Sequence, residues 1–199
     1  MRKDAAQNRE RLLRAARRLF ADHGLDVPLE EIARSAGVSI GTLYNRFPTR
    51  GALVDAAFAD RMAIVDGLAE QALAIDDAWE GFVAFLTGVC ELQAVDLGYN
   101  ELAARGAAVD WERGYGLMSG ILERAQRSGE LRDDITLADV AFVARGVTAI
   151  IKATYRVAPG AWRRHLALAL DGLRAVAARP LPVPPLSAEQ TRATMGEDC

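Results

Sequence analysis

Apolar positions recur at helical spacing along most of the chain, and no segment sustains the alternation of a strand. From about Asn8 to His23, Leu12, Leu13, Ala16, Leu19 and Phe20 share one face while the arginines lie mostly on the other, and Gly24 ends the run. Leu29, Ile32, Ala33 and Ala36 then mark a helix too short to stand alone. Gly37 suits a left-handed helix end, Ser39 can cap the next helix, and Pro48 stops that helix near Phe47. Thr49 can cap a long helix from Arg50 to about Ala74, and Asp76 and Asp77 can cap another from about Ala78 to Leu97, with Phe82, Phe85, Leu86 and Val89 on its apolar face. Gly98 reads as its breaker. A short piece from Asn100 to Gly106 follows, then helices from about Trp111 to Ser128, Leu137 to Tyr155 and Ala161 to Ala178. The fold class is all-α, with about nine helices.

The organisation is a three-helix head over residues 1–50, a long connecting helix leading into a helical bundle over 51–180, and a proline-rich tail over 181–199. The prolines of that tail exclude a helix and predict an extended stretch of chain before a polar, frayed end. The helix after Trp111 carries Gly114, Gly116 and Gly120. Each glycine weakens a helix by about 1 kcal/mol, so neighbours pack very close there or the segment moves.

Within the head, the stretch Leu-Glu-Glu-Ile-Ala-Arg-Ser-Ala-Gly-Val-Ser-Ile-Gly-Thr-Leu-Tyr-Asn-Arg-Phe-Pro-Thr-Arg, Leu29 to Arg50, reads as a helix-turn-helix. Leu43 and Phe47 look inward. The opposite face, Ile40, Gly41, Thr42, Tyr44, Asn45 and Arg46, offers hydroxyls, an amide, a guanidinium and a bare backbone on a helix sized for the major groove. Gly41 is best explained by a phosphate or base edge that must approach the backbone. Tyr44 has a second reading as a half-buried ring with its hydroxyl in water.

Charge sharpens this picture. The net charge is −3, yet residues 1–50 hold ten Lys/Arg against six acids, which leaves the head at +4 and the remainder at −7. A basic head on an acidic body fits a nucleic-acid-facing end. No apolar run is long enough to cross a bilayer, and Met1 to Asn8 has no apolar stretch of a signal peptide, so the expected location is cytoplasmic, with no membrane partner. The two cysteines, Cys90 and Cys199, give neither a metal spacing nor a disulfide framework. No metal and no cofactor are expected. His23 and His165 are accompanied by no nucleophile motif or phosphate loop, so an enzyme is not expected.

The basic first helix, the Gly-Val-Ser and Gly-Thr-Leu-Tyr elements, the Phe-x-x-Arg ending and the long helix after them resemble the TetR family of bacterial transcriptional regulators. The match in motif spans about Arg9 to Phe58; beyond it only the helix layout corresponds, with Gln126 to Arg132 similar to the turn of the family's C-terminal domains. The resemblance implies a homodimer that binds a palindromic operator in double-stranded DNA and is released by a small-molecule effector of unknown identity. Ile40, Gly41 and Thr42 would face bases, while Ser39, Tyr44, Asn45 and Arg46 would hold bases or phosphates. Arg50 replaces the lysine usual at its position and would contact a phosphate, so Arg50→Ala should flatten the salt dependence by about one unit per head. Arg46 stands where the family most often has histidine, and Val27-Pro28 replaces the usual Ser or Thr cap.

The resemblance also implies a dimer through the last two helices, for which Val140, Val143, Val147, Ile151, Leu166, Leu170 and Leu173 are available; the same residues can serve as internal core. Phe85, Val89, Cys90, Trp111, Tyr115, Met118 and Leu122 are candidates to line an effector pocket between the middle helices, against the alternative of ordinary core. Cys90 is a candidate sensor thiol, and Glu101 or Arg105 a candidate to orient a polar ligand. The alternative function is a non-catalytic helical adaptor or ligand-binding protein whose helix-turn-helix is structural.

Overall fold

The computed structural model describes residues 2–104 and 111–195. The head is built from α1 (Arg2–His23), α2 (Leu29–Ala36) and α3 (Ile40–Arg46). In α2 the stripe closes on Leu29, Ile32 and Ala33, all buried. Gly37 ends the helix at φ +69°, which lets its own amide reach the Arg34 carbonyl (3.1 Å) and the Val38 amide reach that of Ala33 (3.0 Å). That left-handed residue swings the chain so that Ser39 can cap α3. Thr49 caps α4 (Arg50–Ala74) in the same way, its hydroxyl accepting the Ala52 amide at 3.1 Å.

The head's core does not stop at residue 50. Leu12, Ala16, Phe20, Ile32 and Leu43 are fully buried together with Leu53 of α4, and the same cluster takes in Phe58 and Tyr99. One long and two very short helices enclose too little interior to exclude water, so the start of α4 and one ring from the body complete the core.

The body comprises α5 (Ala78–Ala94), α6 (Leu97–Ala104), α7 (Trp111–Arg127), α8 (Leu137–Thr154) and α9 (Ala161–Leu173). Its core joins Phe82, Leu86, Cys90, Ala125, Leu131, Val147, Ile151, Trp162 and Leu166. Asp77 caps α5, accepting the Glu80 amide at 2.9 Å. Two sequence expectations change here. α5 ends at Ala94 because Asp96 restarts the chain, its carboxylate accepting the Tyr99 amide at 3.0 Å in the first turn of α6. Gly98 is therefore inside a helix, and its missing side chain serves a close approach to α1: a Cβ there would stand 2.8 Å from the Phe20 carbonyl oxygen. Two of the three glycines of α7 do not repeat this. Among the described residues, a Cβ at Gly116 would have nothing within 4 Å, and one at Gly120 only Leu73 at 3.7 Å.

α9 is shorter than its apolar spacing suggests. The chain leaves the helix at Leu173, makes a single 3-10 turn at Ala175–Ala177, and pairs Leu131 with Arg174 in an isolated bridge, the sole sheet-like contact among the described residues. Arg174 lies 2.6 Å from Glu130 and over the Trp79 ring at 4.0 Å, which fixes the turn after α7 to the end of α9. The proline segment runs extended, its Arg179 carbonyl accepting a 2.7 Å bond from Arg132. The polar end, expected to fray, instead forms α10 (Ala188–Met195). Its start is a reciprocal cap: Gln190 donates its amide to Ser187 Oγ at 3.2 Å while its side chain accepts the Ser187 amide at 2.9 Å. Arg145 of α8 holds α10 through the Thr194 carbonyl at 3.0 Å.

Candidate nucleic-acid interface

The orientation of α3 follows from two residues. Leu43 is fully buried and Phe47, just past the helix, nearly so. That turns Gly41, Tyr44, Asn45 and Arg46 outward, with Tyr44 47% exposed, so its ring is not part of the core. Ile40 and Thr42 are half-buried, and Ile40 packs partly against the head's core, which leaves less of it to offer a base.

Ser39 is exposed at the N-terminus of α3, where its hydroxyl oxygen accepts the Thr42 amide at 3.2 Å and lies 2.9 Å from the Thr42 hydroxyl. The two hydroxyls carry two protons and their mutual bond uses one. The other remains for an outside acceptor such as a phosphate oxygen. At Gly41 a Cβ would meet only Ser39 Oγ, at 3.9 Å. Nothing inside the head calls for glycine there, and the backbone is open to whatever α3 docks against.

Arg50 takes a different place from the one its position in sequence implies. Its Nη1 donates to the carbonyls of Leu25 (2.8 Å) and Val27 (2.7 Å), so the guanidinium is anchored on the linker between α1 and α2. The carbonyls of a linker come within reach only once the head has folded, and a helix-start arginine carries no local sign of them. Arg9 is the converse case. Its guanidinium lies 5.7 Å from the Phe47 ring centroid, bringing a cation from α1 to the end of α3.

Residues 12–57 match the family model described as bacterial regulatory proteins, tetR family, and residues 77–175 match that of the SbtR-like transcriptional regulator C-terminal domain. An HTH-type transcriptional regulator of Mycobacterium tuberculosis is 35% identical over 142 residues, which cover 66% of this chain and 74% of the relative. The chain belongs to the TetR family. Among solved TetR structures, the regulator SCO0520 of Streptomyces coelicolor is 32% identical, with a TM-score of 0.53 over 83% of this chain and 98% of its own. FadR of Bacillus subtilis, solved with stearoyl-CoA, shares the fold at 19% identity, with a TM-score of 0.57 over 82% of this chain and 98% of its own. The TetR family is one of DNA-binding transcriptional regulators, and this protein is one of them. Among the described residues, no helix is long and apolar enough to cross a membrane.

In this TetR regulator the structure brings most of the candidate pocket residues together. Phe85, Cys90 and Leu122 are buried in the body's core, with Val89 and Met118 partly buried against it. Tyr115 is 55% exposed and faces away from that cluster's interior. The Trp111 side chain and Arg105 lie outside the described residues. Burial, aided by the charge of Glu91, pushes the Cys90 thiol up to about 12, which keeps it protonated at neutral pH and unsuited to sensing as a thiolate.

Sequence reasoning missed the polar contacts of α6. Glu101, 14% exposed, accepts the Leu25 amide at 2.7 Å and pairs with Lys152 of α8 at 3.0 Å, so it joins the end of α1 to the body. One residue earlier, Asn100 is fully buried; its Nδ2 donates to the Thr148 carbonyl at 3.1 Å, while Oδ1 has no hydrogen-bond partner among the described residues. Thr148 Oγ1 lies 2.6 Å from Gln93 Oε1, which completes a polar group shared by α5, α6 and α8. Arg61 of α4 pairs with the buried Asp96 at 3.0 Å beside it. Gln93, Asp96, Asn100 and Glu101 fall within nine residues, but their partners Leu25, Arg61, Thr148 and Lys152 lie tens of residues away, and no common motif joins them.

Proposed function

We propose that this regulator is a repressor that binds a palindromic operator as a homodimer and is released by a small-molecule effector held in the helical body. The observation that carries the DNA half is the outward face of α3, where Ser39, Gly41, Thr42, Tyr44, Asn45 and Arg46 stand on a helix capped at its N-terminus and anchored by Leu43. Ser39, Thr42 and Arg46 supply phosphate contacts, and Gly41, Tyr44 and Asn45 reach base edges. Arg50 acts through the linker carbonyls it holds.

The dimer forms through α8 and α9. Val147, Ile151, Leu166, Leu170 and Leu173 are buried within the protomer, whereas Phe142 on α8 and Leu168 on α9 are 38% and 55% exposed. Two large apolar side chains left outside on those helices support a second copy as their cover.

The effector site lies beside α6. The apolar group around Phe85, Val89 and Met118 provides the body of the site, and Asn100 provides a buried acceptor for one hydrogen-bond donor. α6 carries that acceptor next to Tyr99 and Glu101, which touch the head, so an effector that moves α6 also moves α1. Selecting binding sites from random duplexes tests the DNA half: a palindromic consensus bound by wild type and lost in Tyr44→Ala supports it, and unselected binding with no effect of Tyr44→Ala sinks it.

A further inference from the structure

Arg11, Arg14 and Arg18 stand at i, i+3 and i+7 on α1 and so share one face. All three are exposed, and with Ala15, Ser35 and Ala36 they line a groove of about 440 Å³ between α1 and α2. Among the described residues, no carboxylate lines it. Arg18 donates to Ser35 Oγ at 2.7 Å, while Arg11 and Arg14 have no ion pair among the described residues. Arg17, on another face of the same helix, is the contrast: it bonds the Ala57 carbonyl at 2.8 Å and Asp60 at 2.7 Å, and its charge is neutralised by α4. Three like charges on one helix face repel one another, and only the arginine that serves packing has been given an acid.

The layout favours a polyanion over a small one. Seven residues of helix span about 10 Å, so the guanidiniums form a line, whereas a single phosphate or carboxylate is held by donors that converge on a point. The line also has a direction. Its Arg18 end bonds Ser35, two residues from the Gly37 turn that leads into α3, while Arg9, two residues before Arg11 and so on another face of α1, reaches Phe47 at the end of α3. The three arginines thus run alongside α2, the first helix of the helix-turn-helix, within a head of charge +4 on a body of −7.

We infer that the Arg11, Arg14 and Arg18 face is a second, sequence-independent track for the DNA backbone, gripping phosphates that α3 does not touch. It rests on the DNA reading above. Phosphate contacts of this kind add affinity and steepen the salt dependence without choosing a sequence.

The test uses the full chain and two duplexes of about three helical turns, one of random sequence and one carrying the selected operator, titrated between about 50 and 200 mM salt. Arg11→Gln/Arg14→Gln keeps the Arg18 to Ser35 bond. It is expected to flatten the slope of log affinity against log salt by about two units per head and to weaken both duplexes by the same factor. Arg127→Gln/Arg156→Gln, which removes the same charge from exposed positions of the body, is expected to leave the slope unchanged. A slope unmoved by the α1 pair, or moved equally by both pairs, overturns the inference while leaving the DNA reading in place. Loss of operator preference in the α1 pair also overturns it, because the arginines would then be reading bases. If wild type binds neither duplex, the DNA reading fails and this inference with it.

Discussion

Gly98 is pressed so closely on Phe20 that a Cβ built on it would stand 2.8 Å from both the Phe20 Cβ and the Phe20 carbonyl oxygen. Backbone cannot yield as a flexible side chain can, so even one methyl group forces α6 away from α1. Gly98→Ala is expected to destabilise the fold by about 1–3 kcal/mol, the usual penalty of overpacking. It should also weaken operator binding, since α6 helps set the position of the head. Urea unfolding and a binding titration check both; an unchanged unfolding midpoint would show that the helices separate freely.

Glu101 makes two kinds of contact that substitution can separate. Glu101→Gln keeps an acceptor for the Leu25 amide and loses only the pairing with Lys152, whose side chain is 59% exposed, so the change should stay within about 1 kcal/mol. Glu101→Leu leaves the amide of a buried residue without a partner, and about 1–3 kcal/mol should be lost. Equal effects of the two variants in denaturant titrations would mean that the ion pair, and not the amide bond, holds the junction.

Arg50→Ala should behave as a packing variant. Removing the donor to the Leu25 and Val27 carbonyls is expected to lower stability by about 1–3 kcal/mol while shifting the salt slope of DNA binding less than Arg46→Ala does. A full unit of slope lost with no change in melting temperature would restore the phosphate role.

Phe142→Glu/Leu168→Glu should yield a folded protomer that no longer dimerises. Sedimentation velocity would report the mass and circular dichroism the helix content. A dimer that persists in this variant would move the interface away from α8 and α9.

Cys90 and Tyr99 predict alkaline behaviour. Burial raises each group to about 12, from ordinary values of 9.0 and 10.0. A raised pKa means that the folded state holds its proton more tightly, so this share of stability is complete below the unfolded values and is lost as pH rises from about 9 towards 12. Tyr99→Phe and Cys90→Ala should each flatten the decline in stability over that window, measured by denaturant unfolding at successive pH values. In a Cys199→Ser background, Cys90 should resist iodoacetamide at pH 8 until the chain unfolds; rapid modification of the native protein would contradict its burial.

Much of this protein was legible in its local sequence. Stripe spacing, caps at Ser39, Thr49 and Asp77, and the stops at Gly37 and Pro48 mark α2 to α5 because helix formation depends on contacts within one or two turns. The same locality determined the outward face of α3, since Leu43 and Phe47 must point inward and the helical period then places the rest. Even the unexpected α10 was written locally, in the Ser187 and Gln190 cap that the prolines obscured. What tertiary structure decided are the partners that lie tens of residues apart. Arg50 reads as a free cation until the carbonyls of Leu25 and Val27 close on it, and Gly98 reads as a helix breaker until Phe20 arrives. The buried group of Gln93, Asn100 and Thr148 exists only where three helices meet. Helical spacing states which way a residue faces along its own helix; only the packed fold states which residue waits on the other side.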